Sequence, residues 1–166
     1  MGTETERKFL VIGDGWRSSS SAVFYRQGYI PTQNQATVRV RRAGDRAYLT
    51  VKGPTVGITR AEYEYEIPCD DADAMLNNLC QHPLIEKHRH TLSSDGVLWE
   101  VDEFRGENQG LILAEVELSD LDQQVTLPDW VGEEVSLDPR YFNANLARQP
   151  YGSWAEACGQ PRTDSS

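Results

Sequence analysis

The 166-residue chain has no long hydrophobic run, and its first residues contain no apolar segment like the core of a signal peptide. A membrane-spanning helix needs about 20 apolar residues in a row, so no membrane insertion is expected and the cytoplasm is the default location. Cysteine is scarce, with three residues that lack zinc-like spacing. We therefore expect Cys69, Cys80 and Cys158 to be reduced thiols, as is usual in a reducing compartment.

Positive charge is also in short supply. The chain has 16 Lys and Arg residues against 26 Asp and Glu residues, which gives a formal net charge of −10. Proteins that bind nucleic acid through its phosphates are usually basic, so no nucleic-acid partner is expected. The content of 39% hydrophobic and 25% charged residues suits one globular domain with a real core. An anionic ligand would need a local basic cluster within this acidic chain.

The charges that are present recur at every second residue in five short segments, with mixed signs. A β-strand sends alternate side chains to opposite faces, so each segment presents its charges on one face. Acids close to bases on one sheet surface can hold divalent cations and a polyphosphate together. The five segments are Glu4-x-Glu6-x-Lys8, Arg39-x-Arg41, Thr50-x-Lys52, Glu62-x-Glu64 and Glu115-x-Glu117.

Hydrophobic alternation predicts a mostly antiparallel β protein with about eight strands and a few helices. A closed barrel would remove the unpaired edges of such a sheet. The fold class is therefore mainly β (α+β), an eight-stranded antiparallel closed barrel with a few flanking helices. Strands are predicted at 4–12, 36–42, 46–52, 59–68, 85–92, 97–104 and 111–118, with a short extended piece at 29–31. Helices are predicted at 16–26, 70–81 and 139–148, with a short one near Asp120.

The ExExK arrangement of Glu4, Glu6 and Lys8 resembles the N-terminal signature of the CYTH domain, also called the triphosphate tunnel metalloenzymes. Six further segments fall in the order typical of that family, and the end of the similar region, 138–146, resembles small bacterial members. The resemblance spans residues 2–148 and leaves 149–166 as a C-terminal tail. The six segments are Val38-Arg-Val-Arg41, Leu49-Thr-Val-Lys-Gly53, Arg60-Ala-Glu-Tyr-Glu64, Glu86-Lys-His-Arg89, Trp99-Glu-Val-Asp-Glu-Phe104 and Gly110-Leu-Ile-Leu-Ala-Glu-Val-Glu-Leu118.

The resemblance implies a tunnel with a charged interior that binds triphosphate through bases and a divalent cation, Mg²⁺ or Mn²⁺, through carboxylates. Glu4 and Glu6 lie about 6–7 Å apart along one strand face and can converge on a hard cation. Spacing alone leaves a solvated strand face open as an alternative. The family match favours metal binding, with Glu117 as the third ligand and with Glu115 and Asp102 as weaker candidates.

Six basic residues match the phosphate clamp that the resemblance implies. Arg grips phosphate oxygens with two donors, whereas Lys acts as a point charge. Each residue alone reads more naturally as a surface cation, but six on matching strand faces favour a binding site. The six are Lys8, Arg39, Arg41, Lys52, Lys87 and Arg89.

Four residues are candidates for a catalytic role: Lys8, Tyr29, Glu62 and Glu64. The resemblance gives Glu62 and Glu64 the family's acidic pair, which would orient the bases, bind a second metal or position water. Some family members carry lysine near position 29, whereas the small bacterial triphosphatases carry tyrosine. A tyrosine with a pKa near 10 is a poor base at neutral pH unless nearby cations lower that pKa, so a base, a residue that orients the attacking water and a packing residue all stay open for Tyr29.

The resulting hypothesis is metal-dependent hydrolysis of the terminal phosphoanhydride of inorganic triphosphate, and also of nucleoside triphosphates. A class IV adenylyl cyclase or a thiamine triphosphatase on the same fold is an alternative, and Trp16 or Trp154 would then offer an aromatic ring at the tunnel mouth. A non-catalytic polyphosphate-binding module is the alternative from another class.

The strand faces opposite the charges are apolar, and in a tunnel they must point outward. Examples are Val38 and Val40, Tyr63 and Tyr65, and Trp99. Two or three short helices can cover only part of such a surface. A homodimer that buries the remainder is therefore predicted.

Overall fold

The computed structural model describes residues 2–154, and the prediction for Cys158 lies outside them. Short 3-10 helices form at Arg17–Ser19, Gly106–Asn108, Pro139–Tyr141 and Tyr151–Ser153. The strands are β1 (Gly2–Val11), β2 (Ser21–Ile30), β3 (Thr37–Ala43), β4 (Arg46–Lys52), β5 (Thr59–Ile67), β6 (Ile85–Ser94), β7 (Val97–Phe104), β8 (Ile112–Glu117) and β9 (Val131–Glu134), and the helices are α1 (Cys69–Asn78) and α2 (Asn143–Arg148).

Eight of the strands close into an antiparallel barrel, which confirms the predicted fold class. The order around the barrel is β5-β4-β3-β2-β6-β7-β8-β1, and the N-terminal half of β1 pairs with β5 to close the ring. β9 adds to the C-terminal half of β1, beside the β1–β8 pair. The β1–β5 pair includes Glu4, which lies opposite Arg60, whereas Glu6 belongs to the β1–β8 pair.

The helix predicted at 16–26 is wrong. One 3-10 turn forms at Arg17–Ser19, and β2 then runs from Ser21 to Ile30 with β3 on one side and β6 on the other. Serine is a weak helix former, and Val23, Phe24 and Tyr25 favour strands. The predicted extended piece at 29–31 is the end of this longer strand.

Two further helix predictions need correction. No helix forms near Asp120, where the chain follows turns and irregular backbone. The predicted helix at 139–148 splits into the 3-10 turn Pro139–Tyr141 and the two-turn helix α2. The prediction at 70–81 is confirmed by α1, whose first turn carries the acidic residues Asp70 and Asp71, which suit the positive end of the helix dipole.

The outer face of the barrel carries two apolar clusters, as the alternation predicts. One cluster surrounds Trp99 and Val101 and is covered by Trp16 and Trp130 from the irregular segments. The other lies where α1 packs on β3 and β4, around Val40. Trp16 and Trp99 are completely buried, and burial of a large apolar side chain stabilises the fold by about 1.5–3 kcal/mol. Trp16 therefore belongs to the apolar core on the outer face of the barrel and does not face the barrel interior.

A third apolar cluster lies on the charge-bearing faces of the strands, at one end of the barrel. Ile85, Phe104 and Leu113 share the strand faces of Lys87, Asp102 and Glu115. Leu146 and Ala147 of α2 pack among them, and the Trp154 ring stacks edge-on against Tyr141 and Tyr151. The interior is thus charged along its middle and apolar at one end, which strand parity alone does not predict.

The outer face of β5 is not covered by any other element within residues 2–154. Tyr63 and Tyr65 remain 45% and 61% exposed. The homodimer therefore stays a prediction. No helix in the described part of the chain is long and apolar enough to cross a membrane.

Gly28 provides a test of how tightly α1 is docked on the barrel. A methyl group at this position would lie 2.7 Å from Leu84 Cδ2 and 2.8 Å from Cys80 Cβ, so the segment after α1 would have to move. We expect Gly28→Ala to lower the free energy of unfolding by about 1–3 kcal/mol, as measured by chemical denaturation. Gly15→Ala is the control, because its methyl group would meet only Trp130 at 3.7 Å. Equal stability of the two variants would contradict this packing.

Candidate active site

The barrel interior holds a cavity of about 330 Å³ whose walls are almost entirely charged or polar. Strand alternation accounts for this lining, because residues of one parity on neighbouring strands point to one side. Glu6 is paired with Glu117 across β1 and β8, and Arg39 with Thr50 across β3 and β4. The lining residues are Glu4, Glu6, Tyr25, Arg39, Arg41, Tyr48, Lys52, Glu62, Glu64, Arg89, Glu100, Glu115, Glu117 and Asn143.

A smaller chamber of about 150 Å³ shares Glu4, Glu6, Arg39 and Lys52 with this cavity. Its remaining wall comes from the 53–60 segment and from α2, and includes Lys8 and Tyr29. Glu4 and Glu6 therefore border both spaces. The two spaces together bring most of the predicted site residues to one region.

Asp102 forms the most deeply buried charge cluster of the site. Its Oδ1 accepts from Arg89 Nε at 2.8 Å, and its Oδ2 accepts from Arg89 Nη2 at 2.9 Å and from Lys87 Nζ at 2.7 Å. Burial favours the neutral acid, but Arg89 and Lys87 outweigh it and hold the pKa of Asp102 far below its usual range. Burial lowers the pKa of Lys87 to about 7, against the opposing charge of Asp102.

Glu115 lies between two of the predicted clamp residues. One carboxylate oxygen is 3.4 Å from Lys8 Nζ and the other is 3.8 Å from Arg89 Nη2. Burial opposes its ionisation, but Lys8 and Arg89 hold its pKa at about 2. Lys8 also donates to the carbonyl oxygen of Tyr141 at 3.1 Å, which ties β1 to the segment before α2.

A second set of ion pairs lies on the β4–β5 side. Lys52 Nζ donates to Glu4 Oε1 at 2.5 Å. Arg39 donates to Glu64 Oε2 at 3.3 Å, while its Nε is buried without a hydrogen-bond partner among the described residues. Burial raises the pKa of Glu62, and a hydrogen bond to Glu4 raises it further. The Glu4 and Glu62 carboxyl groups therefore lie close enough to interact.

Glu6 and Glu117 face each other without such partners. Neither side chain has a hydrogen bond or ion pair within residues 2–154. Burial raises the pKa of Glu6 to about 8, and the charges of Glu115 and Glu4 contribute. This site therefore has an excess of carboxylate over local positive charge.

The donor set fits a hard divalent cation in its chemistry. Glu4, Glu6, Glu62 and Glu117 all line the larger cavity and offer only oxygen ligands. In the part of the chain that the structure describes, no three acidic, His or Cys side chains converge into a ready-made metal centre. Asp102, a weaker metal candidate, instead has both oxygens engaged by Arg89 and Lys87.

Arg41 differs from the other predicted clamp residues. Its Nε donates to Gln27 Oε1 at 3.1 Å, and its guanidinium lies 5.0 Å from the centre of the Tyr25 ring. Within the described residues it forms no ion pair with a carboxylate. Burial lowers the pKa of Arg41 to about 10, together with the like charges of Arg39 and Arg89.

Tyr29 lies where the charged lining meets the apolar end of the barrel. It is 8% exposed, packs in the interior apolar cluster, and its hydroxyl accepts from Gln27 Nε2 at 3.1 Å. Burial raises the pKa of Tyr29, although Arg39 and Arg41 oppose the effect. This environment is unfavourable for a general base at neutral pH.

No site role is predicted from the sequence for four polar residues of this region: Tyr25, Gln27, Thr50 and Asn143. Asn143 Oδ1 accepts from Lys87 at 3.1 Å, and Thr50 bridges Arg39 and Glu64. The face of Thr50 is predicted by the Thr50-x-Lys52 segment, whereas Tyr25 and Gln27 share the parity of Tyr29 only because β2 replaces the predicted helix. Asn143 comes from a helix that enters the barrel, and no local pattern signals its position.

Asp102→Ala tests whether this carboxylate supports the interior charges. We expect the free energy of unfolding to fall by about 3–5 kcal/mol, because Lys87 and Arg89 would remain buried without their counter-charge. Urea denaturation gives the value. Glu134→Ala is the control, since it breaks a partly exposed ion pair with Arg7 and should cost about 0–1 kcal/mol. Similar losses in both variants would exclude the supporting role of Asp102.

Comparison with known proteins gives relatives over almost the whole chain. An inorganic triphosphatase of Acetivibrio thermocellus is 51% identical over 156 residues, which cover 94% of this chain and 100% of that protein. An inorganic triphosphatase of Nitrosomonas europaea is 39% identical over 151 residues, with 87% and 97% covered. A crystal structure of an inorganic triphosphatase superposes with a TM-score of 0.64 at 37% identity, covering 89% of this chain and 95% of that one.

A family model also matches the chain over the whole barrel. The CYTH domain matches residues 2–151, which run from the first residue of β1 into the last 3-10 turn. The match thus includes every strand of the barrel and every charged residue that lines its two cavities. The chain belongs to the CYTH domain family.

Proposed function

We propose that this protein hydrolyses inorganic triphosphate to pyrophosphate and orthophosphate with the help of a divalent cation. The observation that carries the proposal is one barrel interior in which cations and unpaired carboxylates line the same cavity. The relative with 51% identity is an inorganic triphosphatase matched over its whole length, which supports the same reaction. In this reaction the oxygen of water bonds to the terminal phosphorus, the bridging P–O bond breaks, and pyrophosphate leaves.

The basic side chains of the cavity would hold the polyphosphate. In the described part of the chain, Arg39 Nε is a buried donor without a hydrogen-bond partner and Arg41 has no carboxylate partner, so both have free capacity for phosphate oxygens. A buried donor that lacks a partner is unfavourable, and an anionic ligand relieves this. Lys8, Lys52 and Arg89 would offset charge on the leaving pyrophosphate.

Glu6 and Glu117, which have no ion-pair partner within residues 2–154, would be the first ligands of the metal. Glu4 is the third candidate because it borders Glu6 in both cavities, and it would exchange its ion pair with Lys52 for the metal. We infer Mg²⁺ or Mn²⁺ as the ion, since both prefer oxygen ligands. When bound, such an ion neutralises charge on the phosphates and polarises the terminal phosphoryl group.

The remaining acidic and aromatic residues would orient these groups. Glu64 holds Arg39 directly and through Thr50, and Glu62 contacts Glu4. We assign Asp102 to positioning Lys87 and Arg89. We assign Tyr29 to packing and to orientation at the cavity wall, since its raised pKa disfavours proton abstraction.

A substrate panel tests the proposed reaction. Phosphate release is measured for tripolyphosphate, ATP and thiamine triphosphate, each with Mg²⁺ or Mn²⁺, and the ATP reaction is also examined for cyclic AMP. We expect tripolyphosphate to be hydrolysed with the highest kcat/KM, because the cavity is almost wholly ionic and offers little apolar surface for a base. Cyclic AMP formation would instead indicate a cyclase, and tight binding without phosphate release would indicate a binding module.

Glu6→Gln tests the metal assignment. The substitution keeps the shape of the side chain but removes the charge, so the metal concentration for half-maximal phosphate release should rise at least about tenfold. Thermal stability should be unchanged or higher, because ionisation of Glu6 is disfavoured in the folded chain without metal. Glu133→Gln, on the exposed part of β9, is the control. Full activity of Glu6→Gln at low Mg²⁺ would overturn the assignment.

A further inference from the structure

Gln27 is a fully buried polar residue whose two amide atoms are both used inside the barrel. Its Oε1 accepts from Arg41 Nε, and its Nε2 donates to the Tyr29 hydroxyl, each at 3.1 Å. The residue lies on β2 with the same parity as Tyr25 and Tyr29, so β2 lends the cavity only neutral side chains at these positions.

The neutral partner makes Arg41 different from the rest of the clamp. Each of the five other predicted clamp residues has a carboxylate in an ion pair: Lys8 with Glu115, Arg39 with Glu64, Lys52 with Glu4, Lys87 with Asp102, and Arg89 with Asp102, Glu100 and Glu115. An anionic ligand must compete with those carboxylates, but it meets no competitor at Arg41. The charge of Arg41 is therefore available to a phosphate without any rearrangement of ion pairs.

The surroundings of Arg41 hold its guanidinium in place without neutralising it. The Tyr25 ring lies 5.0 Å from the guanidinium of Arg41 and equally 5.0 Å from that of Arg89. Only Nε of Arg41 is engaged by Gln27, which leaves the two terminal nitrogens without a side-chain hydrogen bond among the described residues. Those terminal nitrogens form the fork that binds phosphate oxygens with two parallel hydrogen bonds.

We propose that Gln27 is a positioning and specificity residue that orients Arg41 for the polyphosphate while keeping it free of any carboxylate. Glutamate has nearly the same shape and would also accept from Arg41, but it would pair with the guanidinium as a counter-ion. A glutamate at position 27 would stabilise Arg41, which lies buried beside the like charges of Arg39 and Arg89. The amide gives up this stabilisation and leaves the charge of Arg41 available for binding. The inference rests on the proposed function, of which it identifies one determinant of substrate affinity.

The experiment compares Gln27→Glu with Gln27→Met. Tripolyphosphate binding is measured by titration calorimetry in EDTA, where no metal-assisted turnover occurs, and KM and kcat are measured with Mg²⁺. We expect Gln27→Glu to weaken binding and to raise KM by about tenfold or more, since an added counter-ion near a buried cation outweighs a neutral contact. Its melting temperature should equal or exceed that of the wild type.

Gln27→Met separates this role from ordinary packing. It removes both hydrogen bonds without adding charge, so it should lower the melting temperature yet bind tripolyphosphate more tightly than Gln27→Glu does. If Gln27 had only a structural role, the variant with the lower melting temperature would also bind tripolyphosphate more weakly. Gln124→Glu, the same chemical change on an exposed loop, controls for net charge.

The outcomes separate the inference from the proposed function. Wild-type affinity in Gln27→Glu, or a loss of affinity that follows the loss of stability, would overturn the role of Gln27. A wild-type protein that binds tripolyphosphate without releasing phosphate would overturn the hydrolysis, while the comparison of the two variants would still decide the role of Gln27. A wild-type protein that does not bind tripolyphosphate would overturn both.

Discussion

The ion pairs that Asp102 makes with Arg89 and Lys87 are the interaction on which the barrel interior depends. Each buried ion carries a desolvation penalty of several kcal/mol, and only well-formed pairs with additional hydrogen bonds offset it. Asp102 supplies three acceptor contacts to the two cations from a completely buried position. Arg89 of β6, which Asp102 of β7 holds, also pairs with Glu115 of β8, so the ion pairs connect three neighbouring strands.

The apolar end of the barrel reduces the number of buried charges that need a counter-charge. A tunnel that was ionic along its whole length would need a counter-charge at every inward position. Here Ile85, Phe104 and Leu113 fill one end together with Leu146 of α2, so the charged lining is limited to the middle and the other end. The nearby residue Asn143 faces Lys87 from the start of the same helix. One short helix thus provides both an apolar filling and a polar contact to the site.

The charged faces could be predicted from sequence because strand parity is a local property. Arg39 and Arg41, or Glu62 and Glu64, must share a face in any regular strand, and the barrel then brings these faces together. β2 was missed for the opposite reason. The serines at its start give only a weak local preference, and its extended form comes from pairing with β3, the next strand along the chain, and with β6, which is distant in sequence. The apolar filling of one barrel end by α2 was not predicted, because α2 enters the barrel through tertiary packing, which no local sequence period encodes.

Residue spacing also does not predict which side chain pairs with each of the six basic residues. Six bases on matching faces look equivalent in the sequence, yet the structure divides them into five with carboxylate partners and Arg41 with a neutral amide. The division follows from which strands are neighbours: β2, beside β3, places Gln27 opposite Arg41, whereas β7, beside β6, places Asp102 opposite Arg89. An interior with paired charges is stable without ligand, and the few groups left without partners set what it can bind. Among the described residues those groups are a buried Arg39 nitrogen, the Arg41 fork and the Glu6–Glu117 pair, which we propose as the donors for phosphate and the oxygen ligands for a cation.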